Sequence, residues 1–160
     1  MDANLASGVQ SKRSAAKTAL LRKPQARNKE EKMVPEHLRY HKEHEWVRLE
    51  GSKAVIGISD HAQEALGDIV FFQLPKVGDT MTAGQEMGEV ESTKATSSIY
   101  TPVSGTVSKV NQALNDRPEL ANKDPYGEGW VAVIDLANPR ELDGLMDATA
   151  YEAFLQAGSK

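Results

Sequence analysis

The chain has 160 residues, 19 basic and 23 acidic side chains, a formal net charge of −4 and no cysteine. That length suits one domain with a core of its own, and with 39% hydrophobic residues no apolar run approaches the roughly 20 needed for a bilayer-spanning helix, so a helical membrane protein is excluded. The absence of cysteine removes disulfide scaffolds, cysteine-based zinc sites, iron–sulfur clusters and thiol nucleophiles.

The charge is divided unevenly along the chain. Residues 1–32 carry eight basic groups against three acids, a net of +5, whereas residues 33–160 carry eleven basic and twenty acidic groups, a net of −9. The head has no aromatic residue, and Leu5, Val9, Leu20 and Leu21 show no sustained period. With so little apolar surface to bury it cannot offset its ordering entropy, so a disordered basic extension is expected over 1–32. Three origins fit its composition: upstream sequence ahead of a natural start at Met33, an organelle transit peptide, or a nucleic-acid-binding arm. The ordered domain is expected over 33–160.

From Val34 the texture changes to short β-like runs punctuated by Gly and Pro. Trp46 to Glu50 alternates apolar and charged residues, Gly51-Ser52 turns, and Lys53 to Ile58 returns as the second strand of a hairpin. Ser59 to Gly67 reads as a short helix, with Ser59 or Asp60 as cap, Gln63 at capping-box spacing from Asp60, and Gly67 at the C-terminal left-handed position. Ile69 to Leu74 is a strand that Pro75 stops. Two Gly turns, Val77-Gly78-Asp79 and Ala83-Gly84-Gln85, flank a short segment. Strands follow at Met87–Glu91, Ser97–Thr101 and Thr106–Asn111, with Pro102-Val103-Ser104-Gly105 turning the chain between the last two. The segment from Asn115 to Gly129 reads as a loop with one turn of helix, and Trp130 to Leu136 as the last strand. Asn138 caps a helix opened by Pro139, and Asp147 caps a second with Tyr151, Phe154 and Leu155 on its apolar stripe. Many short strands argue a sandwich or barrel, with the C-terminal helices covering an open sheet edge.

The sequence offers little to a catalyst. There is no Gly-x-Ser-x-Gly elbow, P-loop or dinucleotide fingerprint. His37, His41 and His44 would share a helix face and could bind a metal, but a strand begins at Trp46 and no carboxylate completes a motif. They read as surface histidines. The informative stretch runs from Gly88 to Tyr100, where one strand enters at Glu91, another leaves at about Ser97, and small polar residues surround Lys94. An exposed lysine is ordinarily a solubilising charge. A carrier lysine, however, needs a rigid two-strand base, an accessible tip and small neighbours that leave room for an acylating enzyme. Strand–turn elements at Val77–Gly84 and Val103–Val107 flank this hairpin, as in a quasi-symmetric sandwich.

Glu91-Ser92-Thr93-Lys94-Ala95, followed by Pro102-Val103-Ser104-Gly105, resembles the attachment signature of lipoyl and biotinyl domains. His44-Glu45-Trp46-Val47, Gly57 to Gln63, Pro118-Glu119-Leu120 and Asp124 to Trp130 resemble the H-protein family of the glycine cleavage system. The resemblance spans about Tyr40 to Leu155 and leaves out 1–32. Biotin carriers bracket their lysine with methionines, whereas Lys94 sits between Thr93 and Ala95.

The resemblance implies a mostly β fold, a flattened β-barrel or barrel-sandwich hybrid of lipoyl type, with a short internal helix and C-terminal helices. It implies a non-catalytic carrier with lipoate in amide linkage to Lys94, in the hairpin context of Glu91, Ser92, Thr93 and Ala95. Such a carrier takes the aminomethyl group of glycine from the PLP-dependent glycine decarboxylase to the aminomethyltransferase, which works with tetrahydrofolate. It then presents the reduced arm to dihydrolipoamide dehydrogenase. Lipoate-attaching enzymes are further partners, and a monomer without membrane or nucleic-acid partners is expected. The cofactor supplies the chemistry while the protein binds and orients it. Glu45 matches an acid of the cleft into which the loaded arm folds, or is an ordinary edge-strand charge. Three positions depart from the family pattern: Thr93 for the commoner Val, Ala65 where some members have His, and Ser98 where an acid often follows the lysine. A bacterial-type cytoplasmic protein is expected, or a mitochondrial matrix protein if 1–32 is a transit peptide. A lipoyl relay that donates its group to other acceptors, and a nucleic-acid binder acting through the basic head, are the competing readings.

Overall fold

A computed structural model of the chain describes residues 34–158. The expected basic extension over 1–32 lies outside the described residues.

Nine strands and a few short helices follow one another in the described chain: β1 (Arg39–Tyr40), β2 (Glu45–Glu50), β3 (Lys53–Ile58), α1 (Asp60–Leu66), β4 (Ile69–Gln73), β5 (Thr80–Met81), β6 (Glu86–Ser92), β7 (Thr96–Tyr100), β8 (Gly105–Val110), α2 (Ala113–Asp116), α3 (Leu120–Lys123), β9 (Ala132–Leu136), a 3-10 helix (Pro139–Gly144) and α4 (Ala148–Gln156). The strands form two antiparallel sheets, one of six strands in the order β1-β2-β3-β9-β8-β5 and one of three in the order β4-β6-β7. The expected mostly β, lipoyl-type architecture is present as a flattened sandwich of two sheets rather than a closed barrel. The two turn-flanked segments around the lysine hairpin do more than flank it. They pair directly, Thr80 with Thr106 and Met81 with Gly105.

The main core lies between the sheets. Val47, Ile56, Ile58, Val107 and Ile134 from the larger sheet meet Ile69, Phe72, Val90 and Ile99 from the smaller one. Each such side chain taken fully out of water contributes roughly 1.5–3 kcal/mol before ordering costs are counted. A second cluster forms on the other face of β1–β3, where Leu38, Tyr40, Trp46 and Val55 pack with Ala148 and Tyr151. This second layer explains why β2 departs from simple alternation. Trp46 and Val47 are both buried, on opposite faces, while Leu49, on the face of Val47 but near the end of the strand, is exposed. Gly57, opposite Trp46 in the register, is required by close approach, because a Cβ there would stand 2.6 Å from the indole ring.

The caps follow the sequence. Ser59 is the N-cap of α1, its side chain accepting from Ala62 N, while Asp60 accepts from the Gln63 side-chain amide one position further on. Asp147 accepts from Ala150 N at the start of α4. The helix opened by Asn138 and Pro139 is a 3-10 helix instead of an α-helix. The loop over 115–129 holds one full helical turn, α3, pinned by the buried Leu120 and Ala121, and a further turn, α2, starts just ahead of it at Ala113 with Leu114 buried. The free edge of β1 is sealed by backbone hydrogen bonds in both directions between Tyr40 and Met146, and Tyr151 of α4 stacks on Tyr40 with ring centroids 4.4 Å apart. The C-terminal segment thus closes an edge and covers a face together.

Candidate functional site

Lys94 occupies the tip of the β6–β7 hairpin. The hairpin register runs Glu89–Ser98, Val90–Ser97, Glu91–Thr96, and the closing pair is Ser92 with Ala95, whose carbonyl accepts from Ser92 N at 2.8 Å. Thr93 and Lys94 are therefore the two residues at the turn, and both are exposed. Two-residue hairpin turns usually rely on left-handed residues. Among the described non-glycine residues only His44 has a positive φ, so this tip turns by other means. Ser92 supplies them: its buried Oγ accepts from Lys94 N at 3.2 Å and from Ala95 N at 3.1 Å. Of the residues grouped around the lysine, Ser92 thus organises the turn, Thr93 and Ala95 keep it small, and Glu91 stands exposed on the strand below.

The tip is also anchored from outside its own hairpin. Thr93 N donates to Asp68 O at 3.0 Å, in the loop between α1 and β4. That loop is held by Asn122 of α3, whose Nδ2 donates to Gly67 O at 2.9 Å and to Gln63 Oε1 at 2.8 Å. The Oδ1 of the same side chain accepts from Ile69 N at 2.9 Å. Gly67, at φ 83°, needs the left-handed backbone, and a Cβ there would meet Lys94 Cε at 3.5 Å. The lysine stem accordingly runs over a spot kept bare by glycine. Among the described residues, none pairs with its Nζ. These features fit an acylated lysine: the amine is free, the base is rigid and the neighbours are small.

Glu45 opens β2 and is 1% exposed. Both of its oxygens are engaged, Oε1 with His41 Nδ1 at 3.0 Å and Oε2 with the donating Tyr100 N at 2.8 Å. Since a carboxylate only accepts, His41 presents Nδ1 as the donor. Beside this pair lies a cavity of about 500 Å³ lined by His41, Lys42, Glu43, Ala83, Gly84 and Tyr100. Lys94 is not in that lining. Tyr100 ends the strand that Thr96 begins, about 13 Å along β7, so Glu45 and Lys94 stand toward opposite ends of one strand.

The three histidines correct the expectation of a surface set. His37 is exposed, but His41 backs Glu45, and His44 is buried, 2.7 Å through Nδ1 from the Tyr151 hydroxyl, with its ring centroid 4.6 Å from that of His61. They lie on turns and a strand end rather than on one helix face. No group of three or more metal-ligating side chains occurs among the described residues. Tyr151 is also hydrogen bonded to Ser59 Oγ, and burial, together with the charges of Glu45 and Asp60, pushes its phenol up to about 12. Burial raises Tyr40 still further. Asn122 and Tyr100 had no signal in the sequence, because each acts on a partner brought near only by folding.

Comparison with known proteins agrees with this geometry. The family model described as Glycine cleavage H-protein matches residues 38–158. The glycine cleavage system H protein of Myxococcus xanthus is 52% identical over 123 residues, covering 77% of this chain and 95% of that protein. The protein of the same name from Salmonella arizonae is 53% identical over 124 residues, covering 77% and 96%. Among solved structures, a glycine cleavage system H protein from Mycobacterium marinum superposes with a TM-score of 0.70 at 39% identity, covering 78% of this chain and 99% of that one.

Proposed function

The chain belongs to the glycine cleavage H-protein family and is a carrier subunit of the glycine cleavage system rather than a catalyst, and on that premise we propose that Lys94 is the residue that bears its lipoyl group. The observation that carries this reading is the position of Lys94, exposed at a turn whose shape is set by Ser92 and whose flank is tied to Asp68. Joined to Nζ through an amide, lipoate supplies a dithiolane that can take up a one-carbon amine and carry two electrons. The protein's own part is mechanical and electrostatic. It holds the attachment point clear of the surface, keeps the stem over Gly67, and offers Glu45 as a negative charge at the other end of β7.

In this reading the hairpin residues Glu91, Ser92, Thr93 and Ala95 present the lysine to modifying enzymes. Glu45, held between His41 and the Tyr100 amide, faces the cationic amine of the cargo when the arm folds back along β7. The partners are the PLP-dependent decarboxylase, the tetrahydrofolate-dependent aminomethyltransferase, dihydrolipoamide dehydrogenase and a lipoate-attaching enzyme. The carrier domain is 33–160. The net −9 of that domain supports docking faces of basic character on those enzymes, with charge steering association more than tightening it. The named relatives are bacterial, which supports a bacterial-type cytoplasmic carrier.

Intact-mass measurement after co-expression with a lipoate ligase tests the assignment. A lipoyl increment located at Lys94 and lost in Lys94→Ala is expected. An unmodified chain under conditions that lipoylate a control domain overturns it.

A further inference from the structure

Four large hydrophobic side chains are more than half exposed among the described residues: Leu49, Val70, Phe71 and Val77. Leu49 and Val77 stand singly, as scattered surface hydrophobics commonly do. Val70 and Phe71 are consecutive, and their joint exposure has a structural cause. The β4–β6 register runs Ile69 to Ser92 and then Phe71 to Glu91, with an irregularity between, so Val70 is an extra residue in the ladder. The bulge breaks the in–out alternation. Ile69 and Phe72 point into the core, while both intervening side chains face solvent. Bulges of this kind re-aim side chains beside functional sites.

The place they are aimed matters. Phe71 sits opposite Glu91, and Glu91 sits opposite Thr96, which makes one solvent-facing row across β4, β6 and β7. The next row is Gln73, Glu89 and Ser98. Ser92, the residue after Glu91, closes the turn that presents Lys94, and Asp68, two residues ahead of Val70, accepts from Thr93 N. An apolar pair and two carboxylates thus adjoin the lysine tip. At the start of β4 the Ile69 N–H is already taken up by Asn122 Oδ1, and the exposed side chains of Val70 and Phe71 are what this strand offers to a partner.

We propose that Val70 and Phe71 are the docking anchor for the enzyme that acylates Lys94, and that this enzyme receives them in an apolar pocket rimmed by basic groups facing Glu89 and Glu91. The proposal rests on the reading of Lys94 as the lipoyl attachment site. It favours the acylating enzyme over those that work on the finished arm for a geometric reason. In acylation the uncharged amine attacks the carbonyl carbon of a lipoyl adenylate, the carbon–oxygen bond to the phosphate breaks, AMP leaves with the bonding pair, and the nitrogen gives up one proton. The reacting atoms must come within about 3 Å of each other while the lysine is still unextended, so that enzyme is pressed against whatever surrounds the tip. Enzymes that act on the far end of the arm can stand off from it.

The test compares full-length chains as substrates for a lipoate ligase supplied with lipoate and ATP, with the lipoyl increment at Lys94 read by mass spectrometry and the fold checked by thermal melting. In Val70→Ser/Phe71→Ser, kcat/KM is expected to fall about tenfold or more through a raised KM with kcat retained, as for loss of an aromatic anchor. Phe71→Leu keeps the apolar body and recovers most of the loss, and Val77→Ser, an equally exposed change elsewhere, has no effect. Unchanged kinetics in the double variant, an equal loss in Val77→Ser, or no recovery by leucine overturns the docking surface. A wild-type chain that gains no lipoyl mass overturns the attachment site itself, a separate and distinguishable result.

Discussion

The hydroxyl of Tyr151 and the Nδ1 of His44 are 2.7 Å apart although 107 residues separate them in the chain. Ser59 Oγ, 2.8 Å from the same hydroxyl, joins them, so one phenol on α4 fastens both the turn ahead of β2 and the cap of α1. His44 immediately precedes Glu45. The C-terminal helix therefore braces the strand end that carries the buried carboxylate, and the packing of one end of the chain reaches the candidate site at the other.

Tyr151→Phe removes this junction while keeping the ring stacked on Tyr40. A buried polar group that loses its partner costs about 1–3 kcal/mol, and a loss of that size is expected in urea unfolding. Retention of full stability would show that the hydroxyl is not a structural tie.

Alkaline pH should act through the same residue. The folded state holds the Tyr151 proton up to about 12, above the ordinary tyrosine value of 10.0. The folded chain then binds more protons than the unfolded one between these values. Stability from this source is complete below pH 10 and declines as pH rises toward 12. Tyr40, raised by burial in the same direction, adds to the slope. Tyr151→Phe should flatten the fall measured by urea midpoints across that range. An unchanged slope would assign the effect elsewhere.

Asn122→Ala should loosen the lysine tip from a distance. The side chain bridges Gly67 O and Ile69 N around Asp68, and Asp68 O receives Thr93 N. Faster amide exchange at Thr93 is expected, with a stability loss of about 1–3 kcal/mol for the freed groups. If Thr93 exchange is unaffected, the anchor does not extend to the hairpin.

Glu45→Gln tests the electrostatic part of the proposal. In the lipoylated chain loaded with its aminomethyl cargo, the neutral side chain should shorten the lifetime of that cargo. The thermal midpoint must be recorded alongside it, because the amide can accept from Tyr100 N but offers His41 Nδ1 a donor in place of the second oxygen. An unchanged cargo lifetime in a folded variant removes Glu45 from this role.

Much of the fold could be read locally. The hairpin at Gly51, the caps at Ser59, Asn138 and Asp147, the strand ended by Pro75 and the exposed turn at Lys94 all depend on residues within a few positions of each other. Local chemistry also settles that the turn is small enough to leave a lysine accessible. β1 was not legible, since two residues cannot show a period, and its pairing needs β2 and the distant Met146. The helical turn α2 at Ala113–Asp116, at the entry to the 115–129 loop, was hidden for a related reason, because four residues show no period and the buried Leu114 holds it in place more than propensity does.

By itself, then, the sequence determined a β-rich acidic body, its turns and the one lysine set out at a hairpin tip, because hydrophobic period, capping and turn chemistry act over short distances. Only the tertiary structure decided the environments. It buried Glu45 against His41 and a strand amide and enclosed His44 beneath a helix 107 residues away. It also tied the lysine tip to Asp68 through Asn122, and turned Val70 and Phe71 outward at a bulge. Burial and hydrogen-bond partners depend on which segments meet, and that is settled by packing two sheets and a helix together rather than by the order of residues along any one of them.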